Sequence, residues 1–132
     1  MKLKIVGSGG MSIIPSSFCK CKICQEARQK GGRYERLGPS LYIDDIKMLI
    51  DTPEEIAVAC NRQNITEVKH LSISHSDPDH VKGMRIVEKI GYDFIQEKSM
   101  PIGFYALPEV IEDINRMNGD CLKSVSYTHL RA

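Results

Sequence analysis

Apolar and polar positions alternate with two periods along this chain, and the change of period marks its elements. Near the N-terminus, Leu3-Lys4-Ile5-Val6 reads as a strand, closed by the turn Gly7-Ser8-Gly9-Gly10. A glycine turn after a strand can cradle phosphate, but the dinucleotide fingerprint needs a third glycine opening a helix. Met11-Ser12-Ile13-Ile14-Pro15 does not supply it, and a plain tight turn is the simpler reading. Residues 19–36 are polar, basic and cysteine-bearing. Residues 40–43 and 47–50 are short strand candidates with Asp44-Asp45 between them, the pattern of a hairpin. Thr52-Pro53-Glu54-Glu55 predicts a helix start, with a hydroxyl N-cap, proline at the first helical position and glutamate three residues after the cap. That helix is expected to end near Arg62. Further on, residues 68–74 predict a strand, 81–90 a helix despite Gly83, and 101–106 a strand. Residues 108–117 predict a helix with Val110, Ile111 and Ile114 on one face. Three early strands followed by alternating strands and helices indicate mixed α/β layers.

Composition narrows the class. A chain of 132 residues suits one domain with a real core rather than two. With 42% hydrophobic and 27% charged residues it is not of disordered type. Its net charge of +1, from 18 basic and 17 acidic side chains, demands neither nucleic acid nor an anionic membrane as partner. No apolar run approaches the ~20 residues of a membrane span. Gly7 breaks the N-terminal apolar run too early for a signal peptide. Five cysteines without an export signal point to thiols or metal ligands in a reducing compartment, and so to the cytoplasm.

Candidate chemistry is concentrated in Ser74-His75-Ser76-Asp77-Pro78-Asp79-His80. Two histidines and two aspartates follow an apolar strand, and Pro78 makes the segment a loop. A loop at a strand end can turn several side chains to one point, and imidazole with carboxylate suits zinc, manganese or iron. Two such ions could clamp a phosphoester and activate a water. Alternatively, Asp77-Pro78 is only an N-cap with a first-turn proline, and Asp79 merely favours the helix dipole. That accounts for the aspartates but not for the flanking histidines.

The segment resembles the H-x-H-x-D-H signature of the metallo-β-lactamase superfamily. The resemblance implies an αβ/βα sandwich and a metal centre with His75, Asp79 and His80 at three of its four ligand positions. Asp77 stands where the second histidine is usual, a form similar to that in metallo-β-lactamase domains of DNA-uptake channel proteins. An oxygen in place of a nitrogen hardens the site and favours manganese or iron over zinc. Asp51, in Leu49-Ile50-Asp51-Thr52, matches the superfamily's aspartate that holds a ligand histidine from behind. As a plain strand-end turn residue it needs no such role.

Cys19-Lys20-Cys21-Lys22-Ile23-Cys24 is the second cluster. Three thiols within six residues read as part of a structural zinc site, with Lys20 and Lys22 favouring thiolates. Cys60, Cys121, His70 or a group outside this chain are candidates for a fourth ligand. The alternatives are free surface thiols at 19, 21 and 24, and a small core residue at 60. This C-x-C-x-x-C element, with the later histidine motif, is similar to the phosphodiesterase branch that includes the phosphoribosyl cyclic phosphodiesterase of the carbon–phosphorus lyase pathway. The likeness spans roughly residues 1–106.

The last eight residues, Val125-Ser126-Tyr127-Thr128-His129-Leu130-Arg131-Ala132, match the translation of a transposon-end sequencing adapter. Residues 125–132 are therefore expected to be a foreign tail, His129 is not taken as a ligand, and residues 1–124 are expected to be the N-terminal portion of one truncated domain. Half a sandwich is expected to leave an apolar sheet face uncovered. The expected protein is a metal-dependent phosphodiesterase when intact, with two divalent ions and one structural zinc, and inactive as this fragment. Its expected partners are a small phosphodiester substrate and at most a second copy in a homodimer. A non-catalytic DNA-uptake-type module on the same fold and a zinc-binding interaction module are the other readings.

Overall fold

The computed structural model describes residues 1–118, 122 and 126–129. In chain order it contains β1 (Leu3–Gly7), α1 (Lys22–Lys30), β2 (Ser40–Ile43), β3 (Met48–Ile50), α2 (Ile56–Arg62), β4 (His70–Ser72), α3 (Pro78–Val81), α4 (Val87–Ile90), β5 (Tyr92–Asp93), β6 (Lys98–Ser99), β7 (Gly103–Ala106), α5 (Pro108–Asn118) and β8 (Ser126–His129). Six strands form one sheet in the order β1-β2-β3-β4-β7-β8, and β5 and β6 form a separate hairpin. The first three strands pair antiparallel, and β3, β4, β7 and β8 run parallel.

Register sorts the side chains onto two unlike faces. Lys4, Tyr42, Leu49, Leu71 and Phe104 lie across from one another on neighbouring strands, and so share a face. Leu49, Leu71 and Phe104 are fully buried there, beneath Ile56 and Ala59 of α2, Val81, Met84, Val87 and the Val110, Ile111 and Ile114 stripe of α5. Burial of each large apolar side chain contributes roughly 1.5–3 kcal/mol. The other face carries Leu3 and Ile5 on β1, then Leu41, Ile43, Met48 and Ile50, then His70 and Tyr105. None of these is buried, and Ile5 is 68% exposed. One sheet face is thus covered by helices, and the other, largely apolar, is only partly covered among the described residues.

The hairpin at 40–50 forms and α5 buries its three predicted residues, while the strand predicted over 68–74 is shorter, His70–Ser72. Two helix expectations need correction. The helix predicted from Thr52 begins only at Ile56, capped by Glu55 without a side-chain bond. Thr52 is fully buried, and its amide and hydroxyl both donate to the His80 carbonyl, at 2.8 and 3.3 Å. Its hydroxyl is thus used to hold the histidine loop rather than to cap α2. The helix predicted over 81–90 is broken into α3, a 3-10 turn at Met84–Ile86 and α4. Gly83 causes the break: its amide donates to Thr52 O at 2.8 Å, and a Cβ there would collide with the Pro53 carbonyl.

Helix α1, the β5–β6 hairpin and β8 were not foreseen. α1 buries only Cys24 and Ala27, too narrow a stripe to stand out among its polar residues. The β5–β6 hairpin has two residues per strand. Within the tail expected to be foreign, Ser126–His129 form β8 beside β7, and the remaining tail residues lie outside the described ones. Among the described residues no helix is long and apolar enough to cross a membrane.

Candidate metal sites

The cysteine site is built by a helix start. Cys21 is the N-cap of α1, with extended backbone (φ −66°, ψ 159°), and its sulfur accepts the Cys24 amide at 3.4 Å. The Ser16 amide donates to Cys24 Sγ at 3.4 Å. Arg28 locks the preceding loop, its guanidinium donating to the carbonyls of Cys19 and Ser16 at 2.6 and 2.7 Å. As a result the sulfurs of Cys19, Cys21 and Cys24 all lie within 4.8 Å of one another. Tetrahedral zinc with Zn–S bonds of ~2.3 Å needs sulfurs ~3.8 Å apart, so the trio suits such an ion with a small contraction. The Cys24 amide, then the Cys19 thiol, holds the Cys21 thiol down to about 7. Cys24 moves the other way. The Ser16 amide lowers it, but burial and the two neighbouring thiols together raise it. Neither Cys60 nor His70 joins the trio. Cys60 is in the core, pushed up to about 11 by burial, and His70 lies on the less covered sheet face, 3.2 Å from the Tyr105 hydroxyl. Cys121 lies outside the described residues.

The histidine–aspartate site is built differently. Among the described residues, the cysteine trio is the one group of three or more potential ligands whose donor atoms all lie within 4.8 Å. The loop after β4 makes two pairs instead: His75 Nε2 lies 3.5 Å from Asp77 Oδ2, and His80 Nε2 lies 3.5 Å from Asp79 Oδ2. The two imidazole rings are tilted 46° to each other with centroids 3.8 Å apart. Asp51 organises them from the end of β3. It takes a left-handed φ of 62°, a conformation that costs about 1 kcal/mol or more in a non-glycine residue. Its buried carboxylate accepts the Ser74 amide (2.8 Å), the Ser74 hydroxyl (2.8 and 2.9 Å) and His80 Nδ1 (2.9 Å). Ser74 Oγ in turn lies 2.9 Å from His75 Nδ1.

Asp51 accepts from His80 Nδ1, and Ser74, which donates to Asp51, accepts from His75 Nδ1. Both Nε2 atoms are therefore left outside this network, each 3.5 Å from a carboxylate oxygen. Either a proton or a metal ion can sit between such a pair. Two donors ~2.1 Å from one tetrahedral ion would be ~3.4 Å apart, so each pair has the span of one edge of a coordination sphere.

His75 with Asp77 and His80 with Asp79 thus stand as two pairs tied to Asp51, and no three of these donors cluster within 4.8 Å. Sequence reasoning missed Ser74, the hub between Asp51 and both histidines, and Thr52, which grips the His80 backbone. An isolated serine or threonine carries no signal of such a role.

No family model matches the chain, and no curated protein matches it. Among solved structures, one described as a new diphosphatase from the PhnP family matches with a TM-score of 0.81 at 21% identity. The match covers 98% of this chain and 50% of that one, so the chain spans about half the length of the protein it resembles. The fold is therefore the mixed α/β fold of that protein, in keeping with the mixed α/β layers expected from the sequence.

Proposed function

We propose that this chain carries part of a binuclear metal centre of a hydrolase acting on phosphorus–oxygen bonds, most simply in a phosphodiester. The observation that carries the reading is the pair of imidazole Nε2 atoms, each 3.5 Å from a carboxylate oxygen and each held from behind through Nδ1. His75 with Asp77 would hold one divalent ion, and Asp79 with His80 the other. Bound there, two divalent ions supply an activated water and neutralise charge developing on a phosphoryl group. The chain's own residues do the positioning. Asp51 orients His80 directly and His75 through Ser74, and by accepting from both networks it raises the basicity of the ligands. Thr52 and Gly83 fasten the start of α3, which keeps Asp79 beside His80. The carboxylate oxygens of Asp77 and Asp79 favour manganese or iron at this centre, while thiolates of Cys19, Cys21 and Cys24 favour zinc. The structural neighbour is named for diphosphate hydrolysis and the branch resembled in the sequence for cyclic phosphodiester hydrolysis, and both reactions break a phosphorus–oxygen bond. The centre takes further ligands and its proton donor from outside these residues, and the chain by itself is expected to be inactive.

The test is hydrolysis of an aryl phosphodiester by the full-length protein loaded with manganese or zinc. Turnover that disappears in His75→Ala and in His80→Ala is expected. Turnover that survives both substitutions, or metal bound by the cysteines alone, contradicts the reading and leaves a zinc-binding interaction module.

A further inference from the structure

We propose that Asp113, on α5, is a positioning residue for the His75–Asp77 pair and acts through Ser76; the inference rests on the binuclear reading above. Ser76 lies between two exposed ligand candidates, with the His75 side chain 48% and the Asp77 side chain 72% exposed. Ser76 itself is half-buried. The exposed His75 and Asp77 side chains face each other at 3.5 Å, while Ser76 between them reaches α5. There its hydroxyl donates to Asp113 Oδ2 at 2.8 Å.

The bond bridges elements far apart in sequence. α5 is fixed to the sheet by Val110, Ile111 and Ile114, so Asp113 rides on a rigid support. Its other oxygen accepts Arg116 at 3.1 Å, within the same helix. Asp51 holds the two ends of the ligand loop, at Ser74 and at His80. Residues 75–77 between them have, among the described residues, no other side-chain hydrogen bond to a distant element. Without the bond to Asp113, the His75–Asp77 pair must be ordered at the moment an ion binds, and that ordering weakens binding. Asp51 from β3 thus supports His80 directly and His75 through Ser74, and Asp113 from α5 adds a second support for the His75–Asp77 pair.

Titration of the full-length protein with Co(II), followed by visible absorption, tests the assignment. The thiolate-to-cobalt charge-transfer band of the cysteine site serves as an internal reference for a folded chain, and the ligand-field absorption of nitrogen and oxygen donors reads the loop. Asp113→Ala and Ser76→Ala are each expected to weaken loop binding roughly tenfold, the lower range for partners behind a ligand. The double variant is expected to be no weaker than either single one, because both remove the same bond. Asp113→Asn keeps an acceptor and is expected to retain most of the affinity, and the thiolate band is expected to stay unchanged throughout. Ser76→Ala removes one hydroxyl and spares the Asp113–Arg116 pair, so it tests the bond even if Asp113→Ala unfolds. Wild-type affinity in both single variants, or additive losses in the double variant, overturns the inference alone. Absence of any loop signal in the wild-type protein overturns both it and the binuclear reading.

Discussion

The two ligand clusters reach readiness by opposite routes. Cys19, Cys21 and Cys24 are close in sequence, and one helix start brings their sulfurs within 4.8 Å. His75, Asp77, Asp79 and His80 are as close in sequence but stand in two pairs, and their order comes from Asp51, Thr52 and Ser76's partner Asp113, on other elements. A local cluster needs only its own backbone. A loop at the end of a parallel strand needs the rest of the fold, so it is the more sensitive to substitutions elsewhere.

The largest expected effect separates the two. Cys24→Ala is expected to lower zinc affinity of the cysteine site by roughly a thousandfold or more, since ion and local fold form together there. The loop's Co(II) ligand-field signal is expected to be untouched. Coupled loss of both signals breaks the comparison.

Asp51→Ala comes next. It leaves the Ser74 amide, the Ser74 hydroxyl and His80 Nδ1 without their acceptor in a buried setting, and is expected to cost about 3 kcal/mol in urea denaturation. Loop metal affinity is expected to fall roughly 10–100-fold with the thiolate band preserved.

The thiols also differ in their response to pH. Cys21, held at about 7, is expected to be alkylated at neutral pH in the metal-free chain, while Cys60, pushed to about 11, reacts only on unfolding. The signs for stability are opposite. Cys21 has a lowered folded value, so its contribution is present above the ordinary thiol range and is lost as pH falls through about 7. Cys60 has a raised one, so its contribution is present below the ordinary range and is lost as pH rises through about 11. Mass-spectrometric mapping of alkylation against pH checks the order. Faster reaction at Cys60 than at Cys21 contradicts it.

The smallest effect belongs to Arg116. Its pair with Asp113 is exposed, and Arg116→Ala is expected to change loop metal affinity less than twofold. A change as large as that of Asp113→Ala would move the role from the Ser76 bond to the ion pair.

What was legible in the sequence follows the same division. The strands at 3–7, 40–43 and 103–106 and the buried stripe of α5 show as short-range periodicity, and the density of ligand types marks both clusters directly. The supports do not show. Thr52 has every local feature of a helix cap, yet the fold spends its hydroxyl on His80, 28 residues away. Gly83 reads as a tolerable helix residue until the Pro53 carbonyl is seen against it. Asp113 looks like an ordinary exposed helix carboxylate, and only the packing of α5 brings it to Ser76. Pairwise contacts over such separations leave no trace in the pattern of one chain.

The central claim is that the loop after β4 binds metal independently of the cysteines. Native mass spectrometry of the full-length protein titrated with Mn(II) after zinc loading tests it most directly. The account predicts one zinc that is lost in Cys24→Ala, and further manganese that is lost in a His75→Ala/His80→Ala double variant while the zinc remains. A single zinc with no manganese, unchanged in the double histidine variant, would contradict it.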